Sequence, residues 1–218
     1  CYRCPFGKEY PGCGITCVEL IDEIIRMEGP KTVAGVVIEP IVGSNGILVP
    51  VDEYIPRLRE ICDEHEVLLI ADEVMSGFGR TGKMFCMEHW NVTPDIMSMA
   101  KGITGAFLPV GATITSQAIA DHFDKPGNLF SHGQTYAMHP MGCAAALASI
   151  KEYEDKKIVE NAAKMGRVME KRLNELMESH KSIGDVRGKG LFWGVELVKD
   201  RDTKAPFATR EEKFLPTV

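Results

Sequence analysis

Long apolar runs and an excess of positive charge are both missing from this sequence. It has 25 lysine and arginine residues against 31 acidic residues, for a formal net charge of -6. No basic stripe occurs, which excludes nucleic acid and anionic membranes as main partners. The longest apolar runs, at residues 33–38 and 67–71, are far shorter than the roughly 20 residues that span a bilayer. Residues 1–14 lack the apolar centre of a secretory signal, so we expect a cytoplasmic protein.

An initiator methionine is also absent, and the sequence stops in a charged tail that contains proline. We therefore expect a partial chain that is cut at both ends. With 44% apolar and 26% charged residues over 218 positions, the composition is that of a globular protein with a substantial core. We expect part of a large domain over residues 1–156 and the start of a smaller domain over residues 157–218.

Cysteine offers an alternative function. Four of the seven cysteines form a C-x2-C-x8-C-x3-C cluster, at Cys1, Cys4, Cys13 and Cys17. Two close pairs of thiolates can hold zinc, although the gap between these pairs is shorter than in common zinc ribbons. The odd total argues against a complete disulfide framework. We predict free cysteines and no metal site, with a zinc-binding module as the alternative.

Three apolar segments predict buried strands, and each one ends at a charged side chain. The segments cover residues 33–38, 67–71 and 94–100, and they lead directly into Glu39, Asp72 and Lys101. Continuous apolar runs of this length are typical of strands covered on both faces of a parallel sheet. Open α/β sheets bind their ligands at the carboxyl ends of such strands. We therefore expect Asp72 and Lys101 to meet at one edge of the sheet, with Glu39 as a further site candidate.

Periodicity predicts the remaining elements. Helices are expected over residues 16–28, 52–66, 116–123, 140–153 and 158–180, and further strands over 108–115, 183–187 and 191–198. The order of elements indicates an α/β fold followed by the start of an α+β unit.

Lys101 and Asp72 together suit one type of cofactor chemistry. A lysine amine can form a Schiff base with an aldehyde cofactor. A carboxylate facing a pyridine nitrogen keeps that nitrogen protonated, so that the ring can accept electrons from a bond being broken. Pyridoxal phosphate needs both groups.

Four sequence blocks, in order, resemble class III aminotransferases. They are EPIVGSNGILVP at residues 39–50, LIADEVMSGFGRTG at 69–82, PDIMSMAKGI at 94–103 and HGQTYAMHP at 132–140. The resemblance implies the fold type I architecture of pyridoxal phosphate-dependent transferases. The blocks are most similar to the taurine:pyruvate and β-alanine:pyruvate aminotransferase type.

The resemblance also implies a role for each matching residue. Lys101 and Asp72 would be both catalytic and cofactor-binding, and Val74 would pack against one face of the cofactor ring. Thr135 would reach the cofactor phosphate of the neighbouring subunit, which implies a homodimer. Glu39 would pair with an arginine that otherwise grips a substrate carboxylate.

The expected reaction moves an amino group from an ω-amino acid, an amine or a taurine-like aminosulfonate to a keto acid such as pyruvate. Two alternatives remain beside the zinc module. One is a decarboxylase or aminomutase on the same scaffold. The other is a catalytically incomplete fragment, because the upstream phosphate-binding loop and the ring-stacking aromatic of the family are not in this sequence.

Overall fold

The first sheet has four strands and is mostly parallel. The structure, a computed structural model, describes residues 2–207. The strands are β1 (Gly35–Ile38), β2 (Leu68–Asp72), β3 (Ile96–Met99) and β4 (Ala112–Thr115). They lie in that order, with β1, β2 and β3 parallel and β4 antiparallel to β3. The predicted α/β fold with a mostly parallel sheet is therefore confirmed.

The main core lies between this sheet and two helices, α1 (Thr16–Glu28) and α2 (Tyr54–Glu64). The fully buried core side chains include Val18 of α1, Ile55, Leu58, Ile61 and Cys62 of α2, and Leu69 and Ala71 of β2. Burying one large aliphatic side chain contributes about 1.5–3 kcal/mol. The core therefore holds β2 firmly, which fixes where this strand ends and where the residues after it lie.

Three helices and a second, antiparallel sheet follow in the chain. They are α3 (Gln117–Phe123), α4 (Pro140–Asp155) and α5 (Ile158–Ser179), then β5 (Ile183–Lys189), β6 (Phe192–Asp200) and β7 (Ala205–Pro206). Between α4 and α5 the chain turns at Lys157, which has a φ of 50°. This turn coincides with the predicted boundary between residues 156 and 157. The division into two domains stays a prediction.

Glycines join the GFGRTG loop of residues 77–82 to α5 and to the β5–β6 turn. We call four of them the glycine seam: Gly79, Gly82, Gly166 and Gly190. A Cβ added to Gly82 would lie 3.0 Å from the Cα of Ala163, and one added to Gly166 would lie 2.6 Å from the Cα of Gly190. The amide of Leu191 donates to the carbonyl of Arg80 at 2.9 Å. Backbone therefore packs directly on backbone at Gly82, Gly166 and Gly190, while Gly79 packs on the side chain of Val159.

Filling the seam at Gly166 should destabilise the protein. Alanine is the better helix former by about 1 kcal/mol, but its Cβ at this position would meet backbone atoms of Gly190. Overpacking of this kind costs about 1–3 kcal/mol. We expect Gly166→Ala to lower the free energy of unfolding by up to about 2 kcal/mol in urea denaturation, once the gain in helix propensity is subtracted from the cost of overpacking.

Gly142→Ala in α4 is the matched control. Its Cβ would meet only the end of the Val110 side chain, at 3.0 Å, which can move aside. We expect this helical substitution to leave stability unchanged or to raise it. Equal stability of Gly166→Ala and Gly142→Ala would show that the seam is not tightly packed.

Neither a membrane span nor a metal cluster occurs in residues 2–207. No helix there is long and apolar enough to cross a bilayer, and no group of three or more histidine, cysteine or acidic side chains is arranged to hold a metal ion. Cys4, Cys13 and Cys17 are free thiols. Cys1, the fourth member of the predicted cluster, lies outside the described residues.

Candidate active site

The three charged residues predicted from the sequence follow the carboxyl ends of adjacent strands. The register of β1 against β2 brings Glu39 next to Asp72, and Asp72 pairs with Ser98 of β3. Lys101 comes after the end of β3 at Met99, with one residue between them. The sheet thus delivers two carboxylates and one amine to the same edge, as the strand pattern predicts.

Asp72 closes β2 with a partly exposed carboxylate. Its Oδ1 accepts a hydrogen bond from the amide of Val74 at 2.9 Å. Within residues 2–207, Oδ2 accepts no hydrogen bond. A carboxylate partly removed from water is stabilised by donors of this kind. One oxygen therefore fixes the orientation of the group, and the other is available to a protonated nitrogen.

Lys101 is the first residue of a short 3₁₀ turn, Lys101–Ile103. Its backbone has a φ of 44°, in the left-handed region. The side chain lines a cavity of about 350 Å³, and within residues 2–207 its Nζ takes part in no hydrogen bond or ion pair. The amine is therefore available for reaction with a molecule in the cavity.

The cavity beside Lys101 has apolar and aromatic walls. Its lining includes Val74, Phe78, Tyr153, Phe192 and Trp193. Asp72 itself is not among the lining residues, but its carboxylate is hydrogen-bonded to the amide of Val74, which is.

Glu73, next to Asp72, is a structural carboxyl. It is fully buried, and it accepts hydrogen bonds from the hydroxyl of Ser76 at 2.6 Å and from the amide of Met87 at 2.8 Å. Burial raises the pKa of the Glu73 carboxyl above its ordinary value. Through these bonds Glu73 ties the end of β2 to the loop that follows, and so holds Asp72 and Val74 in place.

Glu39 points back into its own loop. Its Oε2 accepts a hydrogen bond from the amide of Gly43 at 2.9 Å. The same loop touches the segment after β2, because Ser44 Oγ lies 3.7 Å from the sulfur of Met75. Glu39 is therefore beside the candidate site, and its pairing with an arginine stays a prediction.

Thr135 lies in an exposed loop between α3 and α4. It does not line the cavity that contains Lys101. The nearby His139 precedes α4, and its Nδ1 accepts a hydrogen bond from the amide of Met141 at 3.3 Å. This bond caps the helix, so His139 stabilises the loop.

Sequence reasoning missed the far wall of the cavity. Ile47, Tyr153, Phe192 and Trp193 reach it from separate parts of the chain. One sequence feature pointed to part of this wall. The Gly-Lys-Gly turn at residues 188–190 predicts a hairpin, and Phe192 and Trp193 come just after that turn. Nothing in the sequence around Tyr153 distinguishes it from an ordinary helical residue.

The side chains at this edge of the sheet fit pyridoxal phosphate. Lys101 offers a free amine at the cavity, Asp72 offers an oriented carboxylate with one oxygen unbonded within residues 2–207, and Val74 offers an apolar surface in the cavity lining. These are the groups that such a cofactor needs at its aldehyde, its ring nitrogen and its ring face.

Comparison with known proteins decides the family. The model of the class-III aminotransferases matches residues 8–214. The chain belongs to this family. Pyridoxal phosphate is the cofactor of class-III aminotransferases, and the fold of this chain is the fold type I architecture that the sequence blocks imply.

Relatives with different reactions are about equally similar to this class-III chain. Taurine–pyruvate aminotransferase of Bilophila wadsworthia is 43% identical over 211 residues, which cover 95% of this chain and 46% of the relative. Leucine/methionine racemase of Thermococcus litoralis is 46% identical over 207 residues, covering 94% and 45%. A solved amine transaminase from an uncultivated Pseudomonas species, in a form with bound pyridoxal phosphate, superposes with a TM-score of 0.90 at 43% identity, covering 95% and 48%. The chain therefore spans slightly less than half the length of the relatives it matches.

Proposed function

We propose that the protein containing this chain transfers an amino group from an ω-amino acid, an amine or a taurine-like aminosulfonate to a keto acid such as pyruvate. The observation that carries the proposal is the delivery of Asp72 and Lys101 to one sheet edge, beside a cavity of about 350 Å³. The taurine–pyruvate relative supports the substrate class.

The residues of the chain have distinct tasks in this reaction. When bound, pyridoxal phosphate supplies a ring that accepts electrons from the substrate. Lys101 Nζ would hold the cofactor, and the same amine would serve as the base and acid that moves a proton during the transfer. Asp72 would hold the ring nitrogen in its protonated form, and Val74 would support the ring face.

An amino-transfer assay tests the proposal against its alternatives. The complete protein to which this chain belongs would be incubated with pyridoxal phosphate, pyruvate and one donor at a time: taurine, β-alanine or a primary amine. We expect alanine to form in proportion to donor consumption. Racemisation of leucine without alanine formation would favour the racemase reaction, and carbon dioxide or a rearranged amine would favour a decarboxylase or an aminomutase.

We further propose a homodimer in which Thr135 binds the cofactor phosphate of the neighbouring subunit. Its exposed position, away from the cavity of its own chain, supports a role in trans. Large apolar side chains of the same loop are also exposed, and they include Leu129, Tyr136 and Met138. Burying such side chains favours association.

Mixed dimers test the role of Thr135. Thr135→Ala alone should weaken cofactor binding about tenfold to a hundredfold, because a hydrogen bond to a charged group contributes about 1.5–3 kcal/mol. A dimer that combines one Thr135→Ala subunit with one Lys101→Ala subunit should then regain one intact site and about half the activity of the unmodified dimer. No recovery in the mixed dimer would place Thr135 in its own subunit's site.

Three other expectations complete the proposal. Glu39 pairs with a substrate-binding arginine elsewhere in the protein. Residues 1–156 and 157–218 belong to a large and a small domain. The protein works in the cytoplasm, in keeping with the free thiols of Cys4, Cys13 and Cys17.

A further inference from the structure

The backbone of Lys101 is held in an unusual conformation. Its φ of 44° lies in the left-handed region, which costs a residue with a Cβ about 1–2 kcal/mol. Such a conformation persists only where the surrounding structure imposes it. The carbonyl of Lys101 accepts hydrogen bonds from the amides of Thr104 and Ala106, at 3.4 and 3.3 Å. These bonds close the turn locally, but they do not connect it to the rest of the molecule.

Two aromatic residues connect this turn to other elements. Phe78 packs so closely on Gly102 that an added Cβ would lie 2.6 Å from the Cβ of Phe78. On the other side, the hydroxyl of Tyr153 in α4 donates to the carbonyl of Gly102 at 3.0 Å. The ring of Tyr153 also packs on Phe78, with centroids 5.9 Å apart. The peptide between Gly102 and Ile103, one position after Lys101, is therefore held by a hydrogen bond from Tyr153, 51 positions away from Gly102.

We propose that Tyr153 is a positioning residue for Lys101. Its hydroxyl holds the Gly102 carbonyl, so that the turn keeps its strained form and directs the Lys101 amine into the cavity. This inference rests on the proposed function, because only a reacting amine needs such accuracy. Displacement of a catalytic group by about 1 Å can cost about a hundredfold in rate.

Tyr153→Phe separates the hydrogen bond from the packing. Phenylalanine keeps the ring against Phe78 and removes only the hydroxyl. In the complete protein with cofactor, we expect kcat to fall about tenfold to a hundredfold with KM unchanged. A pH titration of the visible absorbance of the bound cofactor gives a second readout. We expect its midpoint to shift, because that absorbance depends on the geometry at Lys101. Loss of packing alone would not produce these two effects together.

Tyr10→Phe is the matched control. It also removes a hydroxyl that makes a hydrogen bond, here to Glu53 at 2.6 Å, and it lies in the segment before α1. We expect unchanged kcat and absorbance. Amide hydrogen exchange of the cofactor-free protein gives a second measurement, in which Tyr153→Phe should speed exchange at Ile103 and Thr104 while Tyr10→Phe does not. Restoring a donor with 4-aminophenylalanine at position 153 should recover kcat.

The outcomes distinguish the two proposals. If Tyr153→Phe has the same kcat, cofactor absorbance and amide hydrogen exchange as the unmodified protein, the positioning role is overturned and the proposed function stays intact. If the unmodified protein forms no borohydride-reducible bond between Lys101 and pyridoxal phosphate, the proposed function fails, and the positioning role fails with it. A fall in kcat that 4-aminophenylalanine does not rescue would show that the lost hydrogen-bond donor is not its cause, and would also overturn the role.

Discussion

Lys101→Ala should abolish the covalent attachment of pyridoxal phosphate and all amino transfer. No other lysine lines the cavity of about 350 Å³ in the described part of the chain. The same amine is both the anchor for the cofactor and the group that moves the proton, so its loss removes two functions at once. We expect turnover to fall to the background of the assay.

Borohydride reduction provides the direct measurement for Lys101. The complete protein would be mixed with pyridoxal phosphate, reduced and digested, and the modified peptide would be mapped by mass spectrometry. Label is expected on the peptide that contains Lys101 in the unmodified protein and on no peptide in Lys101→Ala. Lys83→Ala, which removes an exposed lysine from the neighbouring loop, is the control and should keep both label and activity. Full activity in Lys101→Ala would reject the assignment.

Asp72→Asn should retain some cofactor but lose most of its turnover. An amide oxygen can still accept the hydrogen bond from Val74, which is 2.9 Å long in the structure. A neutral amide, however, cannot balance a positive charge on the ring nitrogen. Removing an oriented electrostatic group of this kind costs about 2.7–4 kcal/mol, or about a hundredfold to a thousandfold in kcat.

Steady-state kinetics and cofactor titration together test the role of Asp72. The expected pattern is a large fall in kcat with a smaller change in cofactor affinity. Asp52→Asn removes a carboxylate whose side chain is 87% exposed, and this control should keep the kinetics of the unmodified protein. If Asp72→Asn turned over as fast as the control, the ring nitrogen would need a different partner.

The site edge was predictable from sequence because local rules determine it. Apolar runs predict strands, parallel strands end at one edge, and Asp72 and Lys101 follow two of those ends in the sequence. The wall contributed by Tyr153 and Trp193 was not predictable, because both side chains reach the cavity through contacts with residues far away in the chain. Periodicity contains no information on such contacts.

Element ends differed from the predictions for identifiable reasons. β1 begins at Gly35, later than predicted, and the amide of Val33 donates instead to Pro30 at 3.2 Å within a 3₁₀ turn. Helix α2 ends at Glu64 because Glu66 adopts a φ of 56°, which a helix cannot continue through. Both ends depend on turn conformations that the apolar pattern does not specify.

The glycine seam limits which substitutions can change the range of substrates that the cavity accepts. Most of its contacts are made by backbone atoms, so substitutions there disturb the fold before they alter the cavity. Leu191, hydrogen-bonded across the seam to Arg80 at 2.9 Å, lines the same cavity. Evolution or engineering of new substrates would therefore act on lining side chains outside the seam, such as Ile47 and Met75. Trp193 is a poorer choice, because its indole nitrogen donates to the carbonyl of Gly190 in the seam.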